Sequence, residues 1–145
     1  MKGFKHLPVS RLYIKDTWGY RGSYYLYENG SNSPFLKTCA LIEKILNEGQ
    51  YSNIITMGTS KGGTAALIFG LKYNASNIFS GACQFHIGDY LSVPTHKRIL
   101  EAMRGRIKRE NMIELLNRTL PNTIIKYSGN ASTVHLIYSK KRAYI

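Results

Sequence analysis

Hydrophobic positions recur along the chain with two periods, one typical of helices and one typical of strands. Apolar side chains at helical spacing, with Pro34 near the start, predict an amphipathic helix over residues 34–48. Residues 52–57 form a short β-branched run that enters a glycine-rich stretch, and an Ala-rich helical segment over 63–73 follows. This order predicts a strand, a tight turn and a helix.

A second compact strand is predicted over residues 78–83, so the chain contains a β-α-β unit, which implies two parallel strands with a right-handed crossover. Two basic helical pieces are predicted over 96–104 and 108–120, the second ending near Pro121. Four further runs predict strands: residues 11–15, 23–27, 123–127 and 133–138. The run 123–127 is also compatible with coil. We therefore expect a three-layer α/β domain with a small, mostly parallel sheet and a basic helical excursion at about 95–120.

Length and composition are those of one globular domain over residues 1–145. Apolar residues make up 43% of the 145 residues and charged ones 19%, which excludes a disordered or low-complexity chain. The longest mostly apolar stretch, Thr64 to Leu71, is far below the ~18 residues that a transmembrane helix needs. The first residues also lack an apolar signal core, so a cytoplasmic protein is expected.

The net charge of +12 makes anionic partners plausible. From Lys97 onward, 11 Lys and Arg residues face three acidic ones. This excess fits a solvated helical face, or a binding module for an acidic polymer. No nucleic-acid motif or aromatic interleaving accompanies it, so nucleic acid is disfavoured. Neither metal nor cofactor is expected, because Cys39 and Cys83 lack metal-ligand spacing.

The strongest chemical signal is the sequence Gly58-Thr59-Ser60-Lys61-Gly62 between a predicted strand and a predicted helix. This Gly-x-Ser-x-Gly pattern is typical of a nucleophile elbow, in which small residues on both sides permit a strained turn. Ser60 is then the nucleophile, and the backbone N–H of Lys61 stabilises the oxyanion. A purely structural glycine turn remains open, whereas the phosphate-binding-loop pattern fails because Gly62 follows Lys61.

Several segments around this motif resemble one bacterial family. The segments are Ser52 to Leu67, Gly70 to Tyr73, Gly81 to Gln84 and Ile87 to Leu91. They are similar to the α/β-hydrolase-type capsular polysaccharide biosynthesis proteins of the XcbB/CpsF family, and more distantly to the accessory secretory-system protein thought to acetylate sugars on an adhesin. The resemblance implies an α/β-hydrolase-like fold and serine acyl transfer or ester hydrolysis on a glycan. It also implies partners: an acyl donor, a glycan and other capsule-synthesis proteins.

The sequence departs from this family near its last residues. In the family, the strand that resembles residues 134–140 is followed by an acidic residue and a histidine, whereas here the strand is followed by Lys141 to Ile145. A truncated or degenerate member without catalysis is therefore a second interpretation. If the chain ends at Ile145, we expect Ser60 to keep its turn geometry with no imidazole within hydrogen-bonding reach.

Three histidines follow Ser60 in the sequence: His86, His96 and His135. None has an obvious catalytic position. His86, which comes just after a predicted strand, is the candidate general base. Asp89 is the candidate acid, since it lies at the sheet edge that gathers catalytic loops, although a helix-capping role is also open. Trp18 and Gly19 follow an earlier strand end and are candidates for the second oxyanion N–H, with a structural turn as the alternative.

Overall fold

The computed structural model describes His6 and residues 8–138, and it has an α/β architecture in which a small sheet is packed against helices. The helices are α1 (Ser33–Glu48), α2 (Lys61–Lys72), α3 (Ile87–Ser92), α4 (Lys97–Arg104) and α5 (Arg109–Lys126), with a 3₁₀ turn at Pro94–His96. The strands are β1 (Ile55–Thr59), β2 (Asn77–Gly81) and β3 (Thr133–Ile137).

The sheet is three-stranded and parallel, in the order β1-β2-β3. Met57 pairs with Phe79, which pairs with His135, so the carboxyl ends of all three strands meet at one edge. The β1-α2-β2 unit therefore has the strand, turn and helix order that the sequence predicts. The predicted α/β class with a small parallel sheet is confirmed.

Helix α2 packs tightly on one face of the sheet because its sequence is rich in small residues. The Thr56 hydroxyl of β1 donates to the carbonyl of Ala66 at 2.9 Å. A Cβ atom at Gly70 would lie 2.8 Å from the Ile78 side chain. Helix and strand therefore approach closely enough to bury residues Gly63 to Leu71 of α2.

The main core lies where α2 meets the basic helices and β2. Ile68, Ile78, Leu91, Leu100 and Leu116 are almost fully buried there. The basic segment predicted at 95–120 is thus part of the fold: the apolar sides of α4 and α5 complete the core, and most of their charged residues remain outside. Helix α3 was not predicted from the sequence.

Two predicted strands before α1 are wrong. Residues 11–15 are irregular and belong to none of the three strands in the described part of the chain. In the segment 23–27, Tyr24 and Tyr25 have φ values of 58° and 59°, a left-handed conformation that interrupts any strand ladder. Residues 24–26 instead form a turn, and this turn buries the side chains of Tyr24 and Leu26.

The strand predicted over 123–127 is also wrong, because α5 continues through Pro121 to Lys126. Leu116 and Leu120 are buried, and Ile124 and Tyr127 pack against the same core at helical spacing. Tertiary packing therefore outweighs both the β-branched sequence and the missing N–H of Pro121.

The opposite face of the sheet is open to solvent in the described part of the chain. Ile55, Met57 and Ile137 share that face and are 58%, 53% and 58% exposed. Among residues 6 and 8–138, no helix is long and apolar enough to cross a membrane.

Burial of tyrosines makes the stability sensitive to alkaline pH. Desolvation raises the pKa values of Tyr24, Tyr25, Tyr27 and Tyr73 above the ordinary 10.0. A tyrosine with a raised folded-state pKa contributes stability below pH 10 that is lost as the pH rises through the folded pKa. We expect the free energy of unfolding to fall above pH 10 in urea titrations.

The Tyr24→Phe variant tests the cause of this alkaline loss. It should show a shallower decline than the wild type, because phenylalanine has no proton to lose. The matched change at the exposed Tyr13, Tyr13→Phe, should leave the decline unaltered. An identical decline in wild type and Tyr24→Phe would contradict a contribution of Tyr24.

Candidate active site

Ser60 occupies the sharp turn between β1 and α2, at the carboxyl edge of the sheet. Its φ and ψ are 53° and −124°, a region that non-glycine residues occupy at a cost of about 1–3 kcal/mol. The turn is held by two backbone hydrogen bonds: Ser60 N donates to Gly81 O at 2.7 Å, and Thr64 N donates to Ser60 O at 3.0 Å. A serine that precedes a helix usually accepts a hydrogen bond from a backbone N–H of the first turn. The Ser60 side chain makes no such capping hydrogen bond to α2.

The two glycines that flank Ser60 have different structural roles. A Cβ atom at Gly58 would overlap the backbone of Gly62, so the turn requires glycine at position 58. At Gly62 a Cβ atom would meet nothing within 4 Å, so steric room does not demand glycine there. The sequence motif thus marks one glycine that the turn needs and one that it tolerates.

Gln84, three residues beyond β2, contacts the Ser60 hydroxyl. Its Nε2 donates to Ser60 Oγ at 3.5 Å and to the carbonyl of Ala82 at 2.9 Å. Its Oε1 accepts a hydrogen bond from the Tyr24 hydroxyl at 3.2 Å. The Gly-x-Ser-x-Gly motif gives no indication of Gln84. Its position in the sequence, as a polar residue just after the strand adjacent to β1, is the signal that points to it.

Two buried hydroxyl groups hold Gln84 in place. The Thr64 hydroxyl accepts from the backbone N–H of Gln84 at 2.9 Å, and it lies 3.4 Å from Gln84 Oε1. Tyr24 is 3% exposed, and burial, followed by the charges of Tyr90 and Asp16, raises the pKa of its phenol. The phenol therefore stays neutral and donates a hydrogen bond to Gln84 Oε1.

Lys61 joins the Ser60 turn to the loop that follows residue 15. Its Nζ lies 3.2 Å from Asp16 Oδ2 and donates to the carbonyl of Arg21 at 2.8 Å. The Asp16 side chain is only 2% exposed, and the same oxygen accepts from Ser23 N at 2.8 Å. The ion pair thereby fastens residues 16–23 beside the N-terminus of α2.

Trp18 and Gly19, the candidates for a second oxyanion donor, lie in this loop. The Trp18 ring packs edge-on against Tyr25, with 6.1 Å between the ring centroids. The backbone N–H of Gly19 donates to Glu28 Oε1 at 2.8 Å, so that N–H already has a partner in this conformation. Of the predicted donors, Lys61 N–H is the one adjacent in sequence to Ser60.

The structure does not join His86 or Asp89 to Ser60. Asp89 Oδ1 accepts from Asn117 Nδ2 at 2.8 Å, and Asp89 N donates to Asn117 Oδ1 at 3.0 Å, which ties α3 to α5. His86 is exposed and lines an open cavity beside Glu110 and Arg118 of α5. Within the described residues no imidazole is hydrogen-bonded to the Ser60 hydroxyl.

The other two histidines have partners of their own. His96 stacks on Tyr90, and its Nδ1 lies 3.1 Å from Tyr90 O. His135 stacks on Phe79, and its Nε2 lies 3.0 Å from Asn77 Oδ1. Both rings therefore pack against a neighbouring aromatic ring.

Several basic side chains of the 95–120 segment are engaged within the fold. Arg104 pairs with Glu101 at 2.5 Å, and Arg109 donates to the carbonyl of Ser92 at 3.0 Å. Arg98 lies over the ring of Tyr20. These contacts account for part of the basic excess without an external partner.

Comparisons with known proteins identify structures with a similar fold. No protein-family model matches the sequence, and a search of curated proteins gives no match. Among solved structures, the capsule O-acetyltransferase of Neisseria meningitidis serogroup A matches with a TM-score of 0.66 and 28% identity over 86% of this chain. A histidine-to-alanine mutant of that enzyme in complex with CoA matches with a TM-score of 0.63 and 30% identity over 80% of this chain.

The chain has a glycan acyltransferase-like fold. It spans about half the length of the capsule enzyme, since the matches cover 51% and 48% of that chain. A glycosylation-associated protein complex from Streptococcus agalactiae matches with a TM-score of 0.62 and 24% identity, over 82% of this chain and 25% of that one, and supports the fold alone. The narrower resemblance to XcbB/CpsF proteins stays a prediction.

Proposed function

We propose that this chain carries the nucleophile of an O-acyltransferase that modifies a capsular or cell-surface polysaccharide. The observation that supports this most is the conformation of Ser60, which lies in a strained strand-to-helix turn at the N-terminus of α2. Its hydroxyl makes no capping hydrogen bond to that helix. That combination is typical of a nucleophile elbow. The similarity to capsule O-acetyltransferase, at up to 30% identity, supports acyl transfer to a glycan.

The proposed reaction has two steps at Ser60. First, Ser60 Oγ attacks the carbonyl carbon of an acyl donor and its proton passes to a base; an acyl-serine ester forms as the leaving group of the donor departs and takes that proton from the base. Second, a glycan hydroxyl attacks that ester and gives its proton to the base; a glycan ester forms as Ser60 Oγ leaves and takes the proton back. In both steps Lys61 N–H stabilises the oxyanion, aided by the positive end of the α2 dipole.

Charge and precedent suggest the class of acyl donor. A CoA thioester is an anionic donor, and the mutant of the similar capsule enzyme was solved in complex with CoA. The net charge of +12 favours encounter with an anionic donor and an anionic polysaccharide. We assign the nucleophile and one oxyanion donor to this chain, and the described residues supply no imidazole as the base.

An acetyl-transfer assay tests this function. Labelled acetyl-CoA is incubated with an anionic capsular polysaccharide from which O-acetyl groups have been removed, and the label on the polymer is counted. Wild type should transfer label, Ser60→Ala should not, and the control Ser52→Ala, at an exposed serine before β1, should match the wild type. Equal transfer by wild type and Ser60→Ala would overturn the proposal, as would no transfer by wild type.

A further inference from the structure

We infer that Gln84 is a further catalytic residue of this site, which acts as a fixed hydrogen-bond donor to the reacting oxygen of Ser60. The inference rests on the proposed function of Ser60. Gln84 stabilises the negative charge that develops on Oγ when its proton is removed and when Oγ leaves the acyl carbon. The three observations that carry it are the orientation of the carboxamide, its restraint by buried hydroxyls and its contact with Oγ.

The orientation of the Gln84 carboxamide is set by a backbone carbonyl. Nε2 lies 2.9 Å from the oxygen of Ala82, which only accepts hydrogen bonds, so the NH₂ end of the amide must face that oxygen. The same NH₂ group has a second proton, and Ser60 Oγ lies 3.5 Å from Nε2. A flipped amide would place two acceptors against each other at Ala82. Gln84 therefore presents an N–H, and not a carbonyl, to Ser60.

Hydrogen bonds to the oxygen of the Gln84 amide keep its N–H directed at Ser60. The Tyr24 hydroxyl donates to Oε1 at 3.2 Å, and Thr64, which is fully buried, contacts both the side chain and the backbone of Gln84. These contacts join the loop after β2 to the turn segment 23–27 and to α2. A donor fixed before the reaction costs no reorganisation when charge develops.

The chemistry of an amide N–H defines what Gln84 can do. Its nitrogen has no basic lone pair, so it cannot take the Ser60 proton, and that proton must pass to another base. Negative charge develops on Oγ as its proton is removed for the attack, and again as Oγ leaves the acyl carbon. The distance of 3.5 Å is long for the free protein, and such bonds tighten as charge develops. A donated hydrogen bond at Oγ then lowers the barrier in both directions.

The rate at which a fluorophosphonate modifies Ser60 tests this role without a glycan or an acyl donor. Intact-protein mass spectrometry follows the adduct in wild type, Gln84→Met, Gln84→Glu and Tyr24→Phe. Gln84→Met keeps the length and removes the donor, and Gln84→Glu keeps the shape but replaces the NH₂ by oxygen. Gln50→Met, at an exposed glutamine, is the matched control. Thermal unfolding of each variant shows whether it is folded.

We expect folded Gln84→Met and Gln84→Glu to react about 10- to 100-fold more slowly than wild type, the range that corresponds to the loss of one hydrogen bond to a charged group. Tyr24→Phe, which loosens the amide without removing it, should react about three- to tenfold more slowly, and it keeps the test valid if both Gln84 variants fail to fold. Gln50→Met should match the wild type.

Two other outcomes separate the failure of this inference from the failure of the proposed function. If wild type is labelled at Ser60 and the folded variants at Gln84 and Tyr24 are labelled as fast, Gln84 has no such role and the proposed function stands. If wild type acquires no label at Ser60, the proposed function fails and the role of Gln84 fails with it.

Discussion

Replacing Gly58 with alanine should destabilise the protein strongly and abolish the reactivity of Ser60. The added Cβ would overlap the backbone of Gly62, and a backbone atom, unlike the end of a flexible side chain, has no alternative rotamer to move to. We expect the free energy of unfolding to fall by about 3 kcal/mol, at the upper end of the cost of overpacking. Urea denaturation, with the midpoint and slope compared with those of the wild type, measures this loss.

Gly62→Ala is the matched control within the same motif. A Cβ there meets nothing within 4 Å and lies in the first turn of α2, so we expect alanine to stabilise the helix by about 0.5–1 kcal/mol. Ser60 should keep its reactivity in this variant. Equal stability of Gly58→Ala and Gly62→Ala would contradict the assignment of the steric requirement to position 58.

Ser60 should react slowly on its own and faster when a free imidazole is added. Among residues 6 and 8–138 an amide donor, and no imidazole, is hydrogen-bonded to the Ser60 hydroxyl, so these residues supply no imidazole to activate it. Hydrolases that lack a catalytic group retain only about 10³- to 10⁴-fold acceleration over water, from the oxyanion donors and binding alone. The conjugate acid of imidazole has a pKa near that of the histidine side chain, ~6.5, so imidazole is neutral at weakly alkaline pH and can take the Ser60 proton.

Labelling of Ser60 by a fluorophosphonate at increasing imidazole concentration measures this rescue. The rate for wild type should rise with imidazole, while Ser60→Ala gives the background reaction. His86→Ala should behave like the wild type, because His86 makes no hydrogen bond to Ser60 in the structure. Rapid stoichiometric labelling without imidazole would mean that a base already serves Ser60.

The sequence identifies the central features of this fold because they are encoded locally. A β-branched run, a glycine turn and an Ala-rich segment follow one another within residues 52–73, and each favours its element by its own backbone preference. The parallel pairing of β1 with β2 then follows from chain topology. Ser60 stands out for the same reason, since the turn that presents it depends on its immediate neighbours.

The errors occur where distant parts of the chain decide the structure. Residues 123–127 have a strand-like composition, yet α5 continues to Lys126 because Ile124 and the C-cap residue Tyr127 pack against the core. Tyr24 and Tyr25 are typical strand residues, but both adopt left-handed conformations in a turn that the Lys61–Asp16 pair helps to hold. Single-sequence periodicity carries no information about such packing partners.

The site shows the same division between local and distant determinants. The contact of Gln84 with Ser60 depends on the β2 register, on Tyr24 some 60 positions earlier and on Thr64 in α2. Asp89 also follows a strand in the sequence, yet its carboxylate accepts a hydrogen bond from Asn117, which connects α3 to α5. A strand end therefore predicts which residues gather at an edge, but the long-range contacts decide which of them face the nucleophile.

Peptide mapping after exposure to an activated acetyl ester tests the central claim, that Ser60 is the acylated nucleophile, most directly. The protein is quenched in acid, digested and analysed by tandem mass spectrometry, with Ser60→Ala treated in parallel. We predict an acetyl group on Ser60 in the wild type, increased by imidazole and absent from the Ser60→Ala peptide. Acetylation confined to lysines, equal in the two proteins, would contradict the claim.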